Sequence, residues 1–122
     1  MSRARRAAWR RGRAAEGLAA LWLRAKGYRI LARGWRAAGG EIDLIARRGD
    51  TLALVEVKAR PDDATAATAL RPAQQARIAR AARAYLARYP ALHTLAPRFD
   101  AILIVPGHRP RHIIDAWREG GG

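Results

Sequence analysis

Glu56 and Lys58 stand two positions apart in the run Leu52-Ala53-Leu54-Val55-Glu56-Val57-Lys58, and Asp43 lies upstream in Glu41-Ile42-Asp43-Leu44-Ile45-Ala46-Arg47. In a strand, residues i and i+2 share a face, so Glu56 and Lys58 project together while Val55 and Val57 point the other way. Arg48-Gly49-Asp50 between the two runs is turn chemistry, which makes them a hairpin. A two-residue Gly49-Asp50 turn pairs Arg48 with Thr51 and sets Asp43 opposite Glu56, with Cβ atoms about 5 Å apart. A slip of one residue would send the carboxylates to opposite faces of the sheet. Two carboxylates at that distance repel unless a cation lies between them, and a hard divalent ion, Mg²⁺ or Mn²⁺, meets that need. Such an ion polarises a phosphoryl group and acidifies a bound water, so the chemistry indicated is phosphodiester hydrolysis, with Lys58 positioning the water or offsetting charge on the phosphate. An ordinary hairpin carrying cross-strand ion pairs is the alternative left open by spacing alone. Leu52 and Leu54 share the face of Glu56 and predict that it is covered.

Lys58 is one of two lysines among twenty-four basic residues, the rest being arginine. A position that keeps Lys in such a chain needs a compact point charge in place of a planar fork. The other, Lys26, precedes Gly27 at an expected helix end, where any cation suits the helix dipole.

The elements that must hold these residues follow from periodicity. Arg3 to Lys26 reads as a helix, with Ala14, Leu18, Leu21, Trp22 and Ala25 as its apolar stripe. Tyr28 to Arg33 reads as a short strand and Gly34 to Gly40 as a loop, followed by the hairpin Glu41 to Arg47 and Thr51 to Ala59. Arg60 to Arg71 carries no periodicity and is expected to be a mobile loop. Pro72 opens a second helix, with Ile78, Ala82, Tyr85, Leu86 and Tyr89 on one face, ending at Pro90. After a loop through Pro97, Ala101 to Val105 is a buried strand, and Arg111 to Ile114 adds an edge strand. The terminal glycines are expected to be disordered. The sum is one α/β domain over residues 1–122, a mixed sheet flanked by helices in the order α-β-β-β-α-β with a further edge strand.

Composition bounds the partners. A net charge of +14 over 122 residues points to a polyanion, nucleic acid before a membrane surface. Arg6, Arg10 and Arg13 on the first helix, Arg36, and Arg77 on the second would grip phosphates without reading sequence. With no cysteine there are no disulfides, thiolate metal sites or thiol nucleophile, which fits a cytoplasmic protein. No apolar run approaches the length of a membrane span. The Arg-rich start lacks the apolar segment of a targeting peptide and is read as part of the mature protein.

The strings Gly40-Glu41-Ile42-Asp43-Leu44-Ile45-Ala46 and Val55-Glu56-Val57-Lys58 resemble the motif of PD-(D/E)XK nucleases, whose core is the restriction-endonuclease-like fold. Glu16 with Ala19, Gly27 to Arg33, the two strings above, Arg98-Phe99-Asp100 and His112 to Trp117 are, in order along nearly the whole chain, similar to the YraN-type family of small bacterial proteins. The resemblance implies Asp43 and Glu56 as metal ligands and Lys58 as the catalytic cation. It further implies Glu16 as an acid directed at the metal and Gln75 as a glutamine near the active site. Gln74 stands where the family shows Lys and Gly34 where it shows Asn, and the Asp62 to Thr68 stretch departs more.

The remaining candidates have plainer roles. Glu16 lies away from the Leu18, Leu21, Trp22 stripe, so a solvated pair with Arg13 is open to it. Asp100 beside Arg98 suits a structural ion pair. His108 and His112 have helical metal spacing, but Gly107 and Pro110 argue against a helix there. Trp9, Trp35 and Trp117 are read as core residues before base-stacking ones. The expected function is a metal-dependent nuclease acting on DNA more readily than RNA, including branched substrates, with a twofold dimer if both strands are cut. Its rival is a catalytically silent nucleic-acid-binding module of the same fold.

Overall fold

The computed structural model describes residues 2–61 and 70–120 and, for 7–11, the backbone alone. The expected mobile loop falls largely on 62–69 and, with the side chains of Trp9 and Arg10 and the last two glycines, lies outside the described residues. The elements are α1 (Arg3–Ala25), β1 (Arg29–Ala37), β2 (Gly40–Arg48), β3 (Thr51–Ala59), α2 (Pro72–Arg88), a 3₁₀ turn (Pro90–Leu92), β4 (Ala96–Ile104) and β5 (Arg111–Trp117). The strands form one sheet in the order β1-β2-β3-β4-β5. Neighbours are antiparallel except β3 and β4, which are parallel because α2 carries the chain back between them. This is the mixed α/β sheet, flanked by helices, of the restriction-endonuclease-like fold.

The helices cover opposite faces. Ile78, Ala81, Ala82 and Tyr85 of α2 pack on Ile42, Ile45, Leu52 and Leu54. Ala19, Ala20 and Leu23 of α1 pack on Leu44, Ala46, Ala53, Val55 and Ile102. Leu52 and Leu54 are thus covered, but by α2, whereas Glu56, expected on their face, lies toward α1. Trp35 sits edge-on to Tyr85 and Trp117 stacks on Phe99, so both are core residues.

Three expectations are corrected. The apolar stripe of α1 does not face the sheet: Leu18 and Leu21 are 43% and 61% exposed, and the buried face runs through Ala15, Ala19, Ala20 and Leu23. Small side chains let the helix lie close to the sheet, and Leu23 supplies the bulk, worth about 2 kcal/mol on burial. The segment from Gly34 is no loop, because β1 continues to Ala37 and a two-residue turn at Ala38-Gly39, with φ of 54° and 78°, leads into β2. β4 begins at Ala96, since the Ala96 N–H bonds to the Asp50 carbonyl and Pro97, pairing with Leu52, is tolerated near the strand start.

Candidate active site

The hairpin has the register that places the carboxylates together. Arg48 pairs with Thr51 and Leu44 with Val55, and continuing the count sets Asp43 opposite Glu56. There the backbone ladder gives way, and Asp43 Oδ2 accepts the Val57 N–H at 2.8 Å. β3 nevertheless stays paired with β4 as far as Ala59. The site therefore lies where β2 parts from β3, and an aspartate side chain takes over the hydrogen bonding of the ladder.

The kink that directs Asp43 is visible in the packing. Ile42 and Ile45 both enter the core beside α2, so the alternation skips at Asp43-Leu44. In β1 the matching position is Gly34, flanked by the pairs Arg33–Leu44 and Trp35–Ile42, with φ of 62°. A glycine takes that left-handed conformation within a strand without the strain a side chain would add. Asp43 is thereby brought to the α1 side, where it lines a cavity of about 950 Å³ together with Glu16, Glu56, Val57 and Leu18.

Glu16 reaches this cavity because of the true phase of α1. Glu16, Ala20 and Leu23 share one face at spacings of four and three, so a residue that lies off the leucine stripe lies on the alanine face. Its Oε1 is buried without a hydrogen-bond partner among the described residues.

All three acids are held above their ordinary range. Burial raises Glu16, helped by the charge of Asp43 and opposed by Arg13 and Arg33. Burial raises Asp43 against the Val57 N–H and a hydrogen bond shared with Glu56. Glu56 is pushed up to about 8, by burial first and then by Asp43, with Lys58 opposing. Lys58, 7% exposed, is lowered by burial and then by the Arg60 charge, while Glu56 pulls it back. The pattern describes a pocket with too little positive charge for its carboxylates. An orphaned buried carboxylate oxygen beside a proton-sharing pair fits a divalent cation. Among the described residues, no group of three His, Cys, Asp or Glu side chains is already gathered as a metal cage.

The other expected residues are spread differently. Gln75 starts α2, where its Nε2 donates to the Leu70 carbonyl at 3.2 Å, and it is not among the residues lining the cavity. Arg77 is exposed on α2, across the sheet from Glu16, and Arg6 is exposed near the start of α1. Arg13 and Arg36 line a second cavity of about 380 Å³, with Arg33 and Gly34, next to Glu16 and Asp43. Arg36 is paired there with Glu41 at 3.3 Å. Arg33 escapes sequence reasoning; its only signal is that it precedes the glycine opposite Asp43.

Asp100 is the structural ion pair expected, held by Arg98 and by His112 Nε2 at 2.8 Å each. Lys26 is not a general helix-end cation: its Nζ meets His112 Nδ1, and it is Arg48 that donates to the Lys26 carbonyl at 3.2 Å.

The sequence model described as "Uncharacterised protein family UPF0102" matches residues 15–104, from the turn of α1 that carries Glu16 to the end of β4. The chain belongs to the UPF0102 family. This is the YraN-type family of the sequence resemblance. The UPF0102 protein of Paramagnetospirillum magneticum is 56% identical over 121 residues, covering 96% of this chain and 94% of its own. That of Parvibaculum lavamentivorans is 56% identical over 112 residues, 92% of this chain and 84% of its own. The UPF0102 protein of Maricaulis maris is 52% identical over 120 residues, 98% of this chain and 94% of its own. Among the described residues of this UPF0102 chain, no helix is long and apolar enough to cross a membrane.

Proposed function

We propose that the chain is a metal-dependent nuclease that hydrolyses phosphodiester bonds of DNA, branched substrates included, and works in the cytoplasm. The observation that carries this reading is the meeting of Asp43 and Glu56 at the parting of two strands, sharing a hydrogen bond in the cavity that Glu16, with its partnerless oxygen, also lines. A binding module for a polyanion gains nothing from clustered carboxylates in its cleft. Asp43 and Glu56 would hold Mg²⁺ or Mn²⁺, with Glu16 contributing from the helix. When bound, such an ion supplies phosphoryl polarisation and a water acidic enough to attack.

The residues themselves do the rest. The Val57 N–H fixes the Asp43 carboxylate on the floor of the cleft. Lys58, buried beside Glu56 though not among the residues lining the cavity, would offset through Glu56 the charge that develops on the phosphate. Water adds across one P–O bond, leaving a phosphomonoester and a hydroxyl. Arg13 and Arg36 hold neighbouring phosphates, and the net charge makes binding steeply salt-dependent.

One observation favours the silent binding module, namely that Asp43, Glu56 and Glu16 are not gathered as a three-ligand cage. Labelled single-stranded, duplex, flap and four-way-junction substrates, incubated with Mg²⁺, Mn²⁺ or EDTA, decide between the two. The nuclease reading expects metal-dependent products that vanish in Lys58→Ala. Binding without cleavage under both metals would establish the silent module.

A further inference from the structure

The two cavities at the site meet along a ridge, since Gly12, Glu16 and Asp43 line both. Their chemistry differs on the two sides. The smaller lobe is lined by Arg13, Arg33 and Arg36, with Glu41 paired to Arg36. Planar forks suit phosphate oxygens. The larger lobe is walled by Ala14, Leu18, Val57, Ile104 and Pro106, and among the described residues that line it is Arg60, whose Nη1 donates to the Ala59 carbonyl at 2.9 Å.

We infer that the larger lobe receives an unpaired base of the nucleic-acid strand whose phosphates lie in the arginine lobe, so that the substrate class is nucleic acid carrying unpaired nucleotides at the carboxylates. This deepens the nuclease reading and rests on nucleic acid being the ligand, though not on cleavage. A base within a continuous duplex is stacked on both faces and must be extruded before it can enter a side lobe, which costs a few kcal/mol. A base in a gap, flap or junction has met that cost already. The volume of about 950 Å³ accommodates a nucleobase with its sugar. Apolar walls bind the face of any base and read no edge, so the preference is for unpaired structure and not for sequence. Leu18, 43% exposed on α1, is explained as a contact surface by this arrangement, whereas the core does not use it.

The test is fluorescence anisotropy in EDTA, with the intact chain and probes of equal phosphate number: single-stranded, gapped duplex and continuous duplex. Wild type is expected to bind the gapped and single-stranded probes about tenfold more tightly than the continuous duplex. Leu18→Gln, a charge-neutral change at an exposed helical site, should reduce that preference to about threefold or less while leaving duplex affinity within about twofold. Ala14→Leu, which narrows the lobe from the same helix, should act in the same direction. Arg33→Gln should weaken all probes alike and lower the salt slope by about one. Equal affinity of wild type for gapped and continuous duplex overturns the base lobe alone. An unchanged preference in both lobe variants, with a shift in oligomeric state, overturns it in favour of a second copy of the chain on this face. Failure to bind any probe removes nucleic acid as the ligand and the base lobe with it.

Discussion

Asp100→Asn is the substitution whose cost follows most directly from the geometry. Asp100 is fully buried and accepts four hydrogen bonds: from Arg98 Nε and Nη2 at 2.8 Å each, from His112 Nε2 at 2.8 Å and from the Asp115 N–H at 2.9 Å. Burial alone would raise its carboxyl, but the bonds from His112, Arg98 and Asp115 outweigh it and bring it down to about 2 from the ordinary 3.8. That drop corresponds to about 2 kcal/mol of preference for the ionised form in the fold. Asparagine keeps the shape but turns an NH₂ toward a donor of Arg98 or His112, leaving one buried donor unpaired at about 1–3 kcal/mol. The variant should therefore lose about 4 kcal/mol at pH 7, a large part of the 5–15 kcal/mol typical of a domain. Because the folded-state value is depressed, the charge contribution is fully present above pH 3.8 and is lost as pH falls through about 2. The gap between wild type and Asp100→Asn should thus narrow by about 1 kcal/mol between pH 7 and pH 3. Urea unfolding followed by circular dichroism across that range measures it. A gap below about 1 kcal/mol at pH 7, or one equally large at pH 3, would refute Asp100 as a buried ionised acceptor.

Four further substitutions probe other parts of the chain. Asp43→Asn and Glu56→Gln should each lower metal-dependent cleavage at least about a hundredfold while probe affinity stays level or, for Asp43→Asn, rises because a repelling charge is gone; cleavage at the wild-type rate would sink the site. Gly40→Ala places a Cβ 2.2 Å from the Arg77 carbonyl oxygen and 2.8 Å from its carbon, so β2 and α2 must separate. A loss of about 1–3 kcal/mol is expected from overpacking, and an unchanged melting temperature would contradict that approach of strand and helix. Glu119→Gln removes the carboxylate that Arg83 grips at 2.7 Å, but both side chains are more than half exposed, so urea unfolding should show a change below about 1 kcal/mol.

The hairpin was legible because its information is local. Gly49-Asp50 fixes the turn, the turn fixes the register, and counting on from that register sets Asp43 opposite Glu56, although the face Asp43 takes depends on the kink at Gly34. The helices were legible in extent, but α1 was misread in phase. Leu18 and Leu21 outweigh Ala15, Ala19 and Ala20 on any hydrophobic wheel, yet close packing on a sheet selects the small residues. The same misreading set Glu16 away from the core. The first hairpin was hidden because its turn uses Ala38 at positive φ, a conformation that alanine seldom adopts and that no sequence signal marks. The kink at Gly34 and Asp43 was hidden for a different reason. It exists only as a matched irregularity of two strands, and neither strand alone shows it.

The two lysines show how the distant part of the fold bears on the site. Lys26 donates to His112 Nδ1, which leaves Nε2 as the protonated nitrogen facing Asp100. Asp100 in turn holds Arg98, and Arg98 Nη2 donates to the Tyr28 hydroxyl at 2.6 Å, closing a chain of polar contacts from the end of α1 through β5 and β4 to the residue before β1. The branched guanidinium of an arginine at position 26 would not meet a single imidazole nitrogen in the same way. This end of α1 is therefore fixed in rotation as well as in position, and Glu16 lies about 15 Å up the same helix. A helix turned by one residue would present Ala15 or Gly17 to Asp43 in place of Glu16. The polar chain at Lys26 thus helps to set which side chain meets the carboxylates beside Lys58.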